Sequence, residues 1–248
     1  MKKSNYYTLF GLNNITSVLE SEKCYEKSID ILKGSSFEKN IDLIMIFKDK
    51  SIPFNIIEKS LFNTKYTSSR NQGVAISFYC DLVRSNIPKS FNKENSCYLI
   101  FDQIKDPQNF GQIIRTAECS GVDGIIYSKH NSVPVTNSVL QVSQGAFLNI
   151  SIFEVTNIKN EIREMKKSGF WSIGIENEIS ASNWFDLDYK GKILIIFGSE
   201  GTGIREKVLE VCDFKGTIEM QGEINSLNVS ASVSAILFER LRQLKIQS

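Results

Sequence analysis

Histidine is nearly missing from this chain: His130 is the only one among 248 residues. Any Ser-His-Asp or Cys-His catalytic arrangement would hang on that single side chain. It lies in a polar stretch between Lys129 and Asn131, where a solvated loop histidine is the plainer reading. An excess of one charge is missing too. The formal net charge is +1, so no global field advertises nucleic acid or a membrane, and any such contact must come from a local patch. The five cysteines (Cys24, Cys80, Cys97, Cys119 and Cys212) are odd in number, scattered and never in CxxC spacing. That argues against a zinc site or a disulfide frame and for reduced, mostly buried thiols of a cytoplasmic protein. No other metal-ligand cluster is visible. No apolar stretch nears the roughly 20 residues of a membrane helix, and Met1 to Tyr7 lacks the apolar core of a signal peptide. There is no internal repeat.

What is present is ordinary for a globular protein: 42% apolar and 23% charged residues, in a chain long enough for two modest domains. Residues 1–78 alternate short helical and strand signals and read as a small α/β domain. Within it Ile15, Val18 and Leu19 mark a helix after Gly11, Ser28 to Leu32 a strand, and Phe37, Ile41, Ile44 and Met45 a second helix. Pro53 to Ile57 and Gln72 to Phe78 read as further strands. Residues 79–95 are mainly polar and unpatterned, and read as a linker. From residue 96 to 248, strands at Cys97–Phe101, Ile125–Tyr127, Trp171–Ile175 and Ile193–Phe197 alternate with helical patterns. That alternation predicts a doubly wound parallel sheet with helices on both faces. The final helix carries an apolar stripe of Val229, Val233, Ile236, Leu237, Leu241 and Leu244.

Three polar clusters stand just after strands or at helix starts. The first is Asp106-Pro107-Gln108-Asn109-Phe110-Gly111, followed by Arg115. An arginine beside a helix N-terminus suits phosphate or carboxylate. The second is the glycine turn Gly198-Ser199-Glu200-Gly201-Thr202-Gly203, which is neither GxGxxG nor a P-loop. The third is Ser226 and Asn228 at the mouth of the last helix. Taken singly, each has a plain structural reading. Asn109 caps a helix, Arg115 is a surface cation, Glu200 is solvated, and Ser226 or Asn228 is an N-cap. Taken together, they converge on the carboxyl edge of one sheet, where α/β proteins bind ligands.

These clusters resemble the three signature motifs of the SpoU/TrmH family of RNA ribose 2′-O-methyltransferases, members of the SPOUT superfamily. Asp106 to Gly111 with Arg115-Thr116-Ala117-Glu118, then Gly198-Ser199-Glu200-Gly201, then Ser226-Leu227-Asn228-Val229-Ser230 occur in the family's order and at family-like spacing. Asn131 to Thr136 and Val142 to Ala146 resemble the bacterial branch that methylates a guanosine of 23S rRNA. Residues 1–78 resemble that branch's RNA-binding domain, so the resemblance spans nearly the whole chain. Departures are Asn71 where histidine is common, Gln112 for alanine and Glu219 for proline.

The resemblance implies a catalytic domain whose C-terminal segment is threaded into a trefoil knot, a rare feature that periodicity does not reveal. It implies S-adenosylmethionine held by Gly198, Ile218, Met220 and Leu227. Arg115 would act at the ribose hydroxyl, positioned with Asn109, Glu200, Ser226 and Asn228. It also implies a homodimer working on RNA, with no metal and no membrane. The same chemistry on tRNA is the nearby alternative. A non-catalytic RNA-binding or ribosome-assembly protein is the distant one, disfavoured by the intact set of polar residues.

Overall fold

The computed structural model describes residues 5–67, 71–177, 181–199, 201–224 and 226–246. The chain divides into two compact units, Met1–Leu82 and Val83–Ser248.

The first unit builds its core from strand alternation. Its strands are β1 (Asn5–Phe10), β2 (Cys24–Leu32), β3 (Phe54–Ile57) and β4 (Val74–Cys80), in the sheet order β1-β4-β2-β3. β4 is antiparallel to β1 and β2, and β3 is parallel to β2. Every second residue turns inward, so Tyr7, Leu9, Ile29, Ile31, Ile76 and Phe78 are buried. Helix α1 (Leu12–Glu20) adds Ile15, Val18 and Leu19, as its spacing predicts. Helix α2 (Ile41–Asp49) departs from expectation. Leu43 and Phe47 are buried, whereas Ile41 and Met45 are 71% and 53% exposed. Asn40 accepts a hydrogen bond from the Leu43 N–H, so the helix starts after Phe37, and Leu43 and Phe47, four apart, share the inward face, with the Phe47 ring 5.8 Å from Phe54. Helix α3 (Lys59–Lys65) has no apolar periodicity to announce it, and is held by Phe62 and Tyr66 packing on Ala75. One row of the sheet carries Tyr6, Tyr79 and Tyr25 in register across β1, β4 and β2. Their ring centroids lie 4.9 and 6.0 Å apart.

The second unit is an eight-stranded sheet. Its elements begin with β5 (Val83–Arg84), β6 (Ser96–Phe101), helix α4 (Pro107–Cys119), β7 (Gly124–Ser128), helix α5 (Asn137–Ser143) and β8 (Ser151–Val155). They continue with helix α6 (Ile158–Lys167), β9 (Trp171–Ile175), β10 (Ser182–Asn183) and β11 (Lys192–Phe197). Helix α7 (Glu206–Leu209), β12 (Phe214–Thr217) and helix α8 (Val229–Ile246) complete it. The strand order is β10-β12-β9-β11-β6-β7-β8-β5, with parallel neighbours throughout. Both faces are covered, which is why β6 is buried along its whole length. On one face Tyr98, Ile100, Ile126, Leu194 and Ile196 pack with Ile158, Ile162 and Met165 of α6 and Val208 of α7. On the other lie α4, α5 and α8, with the Phe110 ring 5.2 Å from Tyr127.

The linker is shorter than its polar composition suggests. β4 runs through Tyr79 and Cys80, Val83 and Arg84 pair with Ile152 and Phe153, and Ile87 and Phe91 pack on the main core. Isolated apolar residues in a polar stretch are enough to dock it. The chain moves outward from β6 through β7 to β8, then returns to place β9 beside β11 on the other side of β6. A crevice opens at the carboxyl ends of β9 and β11, beside the segment that follows β12.

Candidate active site

The crevice is a cavity of ≈ 500 Å³, a size typical of small-molecule sites. All four residues expected at a cofactor line it: Gly198, Ile218, Met220 and Leu227, alongside Glu176, Ser226 and Asn228. Gly198 follows the last residue of β11. There the loop folds back on itself, with Ser199 and Gly203 exchanging backbone hydrogen bonds of 3.1 and 3.0 Å. A Cβ on Gly198 would lie 1.9 Å from the Gly203 carbonyl carbon, so this close backbone approach admits glycine alone. Gly203 has φ +65°, and a Cβ there would strike the Glu176 carboxylate at 2.3 Å. Glu200 of the same loop, and Asn225 before Ser226, lie outside the described residues.

The helix that carries the first motif is capped by Asp106, whose carboxylate accepts from the Gln108 N–H at 2.9 Å, with Pro107 in the first turn. Asn109 is therefore not the cap. It is 5% exposed and faces α8, where its Oδ1 accepts a 3.0 Å hydrogen bond from Asn228 Nδ2. Asn228 caps α8 through its Oδ1, which accepts from the Ser230 N–H at 2.9 Å. Ser230 Oγ lies 2.8 Å from Gln112 Oε1, and Thr116 and Ser234 hydroxyls meet at 3.5 Å. Residues 109, 112 and 116 recur at helical spacing, so α4 and α8 are joined along one polar seam. Gln112, one of the departures from the family pattern, is used in it.

Arg115 lies on α4 three residues past Gln112, with its side chain exposed. Among the described residues it makes no ion pair. The structure thus brings Ser226 and Asn228 to the cavity wall and bonds Asn109 to Asn228. Neither Asn109 nor Arg115 lines the cavity itself.

Residues 96–238 match the SpoU rRNA Methylase family. The 23S rRNA (guanosine-2′-O-)-methyltransferase RlmB of Shewanella oneidensis is 30% identical over 246 residues, 98% of this chain and 99% of that one. A TrmH-family protein of Staphylococcus saprophyticus is 38% identical over 181 residues, 71% of this chain and 72% of its own. This chain belongs to the SpoU rRNA methylase family. The crystal structure of the SpoU methyltransferase AviRb from Streptomyces viridochromogenes, in complex with the cofactor AdoMet, superposes with a TM-score of 0.81 at 18% identity. The match covers 97% of this chain and 91% of AviRb, so the fold is shared across both units.

The family match covers every candidate site residue, from Asn109 to Asn228. Two side chains that organise this family member's site escaped sequence reasoning. Asp102, just past β6, is buried and holds Arg205 through its backbone N–H and its guanidinium, at 3.0 Å and 2.6–3.0 Å. That carboxylate pushes the Arg205 guanidinium above its usual range, against a smaller opposing effect of burial. The pair ties the far end of the glycine loop to the centre of the sheet. A strand ending in an acid, Phe101-Asp102, was the available signal. Glu176, the residue after β9, accepts hydrogen bonds from the Ile204 N–H at 2.6 Å and the Asn177 N–H at 3.1 Å. No motif pointed to it. His130 is exposed on its loop. Among the described residues no group of three or more His, Cys, Asp or Glu could hold a metal ion, and no helix is long and apolar enough to cross a membrane.

Proposed function

We propose that this protein transfers the methyl group of S-adenosylmethionine to the ribose 2′-hydroxyl of a guanosine in 23S rRNA, as a cytoplasmic homodimer. The observation that carries the reading is the seam between α4 and α8. It bonds the helix bearing Arg115 to Asn228, at the wall of a cavity built from Gly198, Ile218, Met220 and Leu227. The lining suits an adenosyl cofactor, with apolar side chains for a base and, at Gly198, backbone that a ligand can approach without a side chain in the way. When bound, the cofactor supplies an electrophilic methyl group on a positively charged sulfur. The choice of substrate leans on the whole-length likeness to the Shewanella enzyme.

The residues of this chain then have separable duties. Gly198, Ile218, Met220 and Leu227 hold the cofactor. Ser226 and Asn228 stand at the rim, where the ribose must enter for in-line approach. Arg115 stabilises the oxygen as it gains negative charge and anchors the neighbouring phosphate. A guanidinium stays protonated at working pH, so it serves as an electrostatic partner and not as a base. The family resemblance assigns Glu200 to orienting Arg115, a duty suited to a carboxylate beside a guanidinium. The C-terminal segment is threaded as the family's trefoil knot, and the partner subunit completes the RNA surface. Exposed Phe238 on α8 offers that partner an apolar contact. Residues 1–78 bind the RNA, and exposed Tyr6 and Tyr25, with half-buried Tyr79 between them, give unpaired bases a stacking surface.

Mass-spectrometric mapping of ribose methylation in total RNA, from cells with and without the gene, tests this reading. Loss of one 2′-O-methylguanosine from 23S rRNA is expected. Loss from tRNA would overturn the substrate, and no loss anywhere would overturn the activity.

A further inference from the structure

We propose that Glu176 makes the cavity a charge selector, favouring sulfonium-bearing S-adenosylmethionine over its product S-adenosylhomocysteine, whose sulfur is neutral. The inference rests on the cofactor reading above and deepens it.

Among the described residues lining the cavity, Glu176 alone carries a charged side chain; the rest are apolar, glycine, or the neutral polar Ser and Asn. It is placed there by topology, as the residue that follows β9 at the carboxyl edge of the sheet. It is also held still. Oε2 accepts from the Ile204 N–H and Oε1 from the Asn177 N–H, and Gly203 closes against the carboxylate with no room for a Cβ. Among the described residues it has no ion-pair partner. Its charge is thus fixed by backbone donors but not cancelled by a cation. A fixed carboxylate in a concave site walled by protein attracts a cation more strongly than it would in open water.

The methyl donor and the spent product differ by one methyl group and one positive charge. Both carry the same ammonium and carboxylate, so those groups cannot discriminate between them. A charge-selecting wall can, and its effect is to raise occupancy by donor and ease departure of product. The competing account is that Glu176 only clasps the glycine loop. Glu176→Gln separates the two, because the amide oxygen still accepts from the Ile204 N–H that clasps the loop, giving up only the 3.1 Å bond from the adjacent Asn177 N–H, while the charge is gone.

The experiment is calorimetric titration of the full chain and of Glu176→Gln with S-adenosylmethionine and, separately, with S-adenosylhomocysteine. The expected result is donor affinity weakened about tenfold, with product affinity changed less than about twofold. Equal weakening of both ligands, or of neither, would overturn the selector. Failure of the unsubstituted chain to bind either ligand would overturn the cofactor reading itself. Should the variant fail to fold, the unsubstituted chain still decides. Its preference for donor over product must shrink between low and high salt if charge carries it, and a salt-independent preference would sink the proposal.

Discussion

Asn109 and Asn228 lie 119 positions apart in the chain and are joined side chain to side chain by a hydrogen bond of 3.0 Å. Asn228 serves two structures at once. Its Oδ1 caps α8 and its Nδ2 reaches the first turn of α4. Asn228 therefore links the cavity rim to the helix that presents Arg115, beside the Ser230–Gln112 contact of the same seam.

The two duties of Asn228 can be separated. Asn228→Asp keeps the capping oxygen but loses the donor to Asn109. Its melting temperature should stay close to that of the unsubstituted protein, while methyl transfer falls at least about tenfold through lost positioning. Asn228→Ala should lose both, costing about 1 kcal/mol of stability with the cap. Thermal melts and turnover assays on the pair check this; full activity in Asn228→Asp would show that the seam is structural only.

Arg115→Ala should lower turnover by about 100-fold or more, as removal of a charge-stabilising donor does elsewhere. Binding of S-adenosylmethionine should be nearly unchanged, because Arg115 does not line the cavity. Arg115→Lys should restore only part of the rate, since an ammonium lacks the planar fork. Parallel kinetics and calorimetry test the split between rate and affinity.

Gly198→Ala should abolish cofactor binding, because its methyl would lie 1.9 Å from the Gly203 carbonyl carbon and force the loop open. Gly222→Ala is the control. Nothing lies within 4 Å of a Cβ there, so binding should persist. Titration of both variants with the cofactor measures the contrast.

Acid should destabilise the protein through paired carboxylates. Burial alone would raise Asp30, but Lys65, the Tyr66 hydroxyl and Asn55 hold it below its usual range. Lys166 with Ser172 does the same for Asp213. A depressed folded pKa contributes stability that is present above the unfolded value of about 3.9 and is lost as pH falls through the folded one. Melting temperature should thus hold near neutrality and drop below about pH 4. Asp30→Asn should flatten that drop for the first unit and cost about 1–3 kcal/mol at pH 7, by unpairing a buried site. Melts followed against pH decide it.

Much of the fold was legible because its central strands are short, continuous apolar runs. Ile193 to Phe197 and Ser96 to Phe101 are buried on both faces, and such runs announce themselves. Helix α2 was phased wrongly because Ile41, Leu43, Ile44, Met45, Ile46 and Phe47 crowd it with apolar residues, so spacing alone does not choose the 43/47 face. Helix α3 was silent because one buried Phe62 makes no period. At the site, Gly198, Ser226 and Asn228 were readable from glycine and small polar clusters. Asp102, Arg205 and Glu176 were not, because their partners are backbone N–H groups and residues up to 103 positions away. Long-range pairing leaves no local pattern.

The central claim is that this chain methylates ribose on 23S rRNA. The direct measurement is to incubate the purified protein with unmodified 23S rRNA and isotope-labelled S-adenosylmethionine, then digest the RNA and identify the labelled nucleoside by mass spectrometry. The account predicts label in a single 2′-O-methylguanosine, absent with Arg115→Ala. Label on a base, or none on the RNA while the cofactor binds, would contradict it.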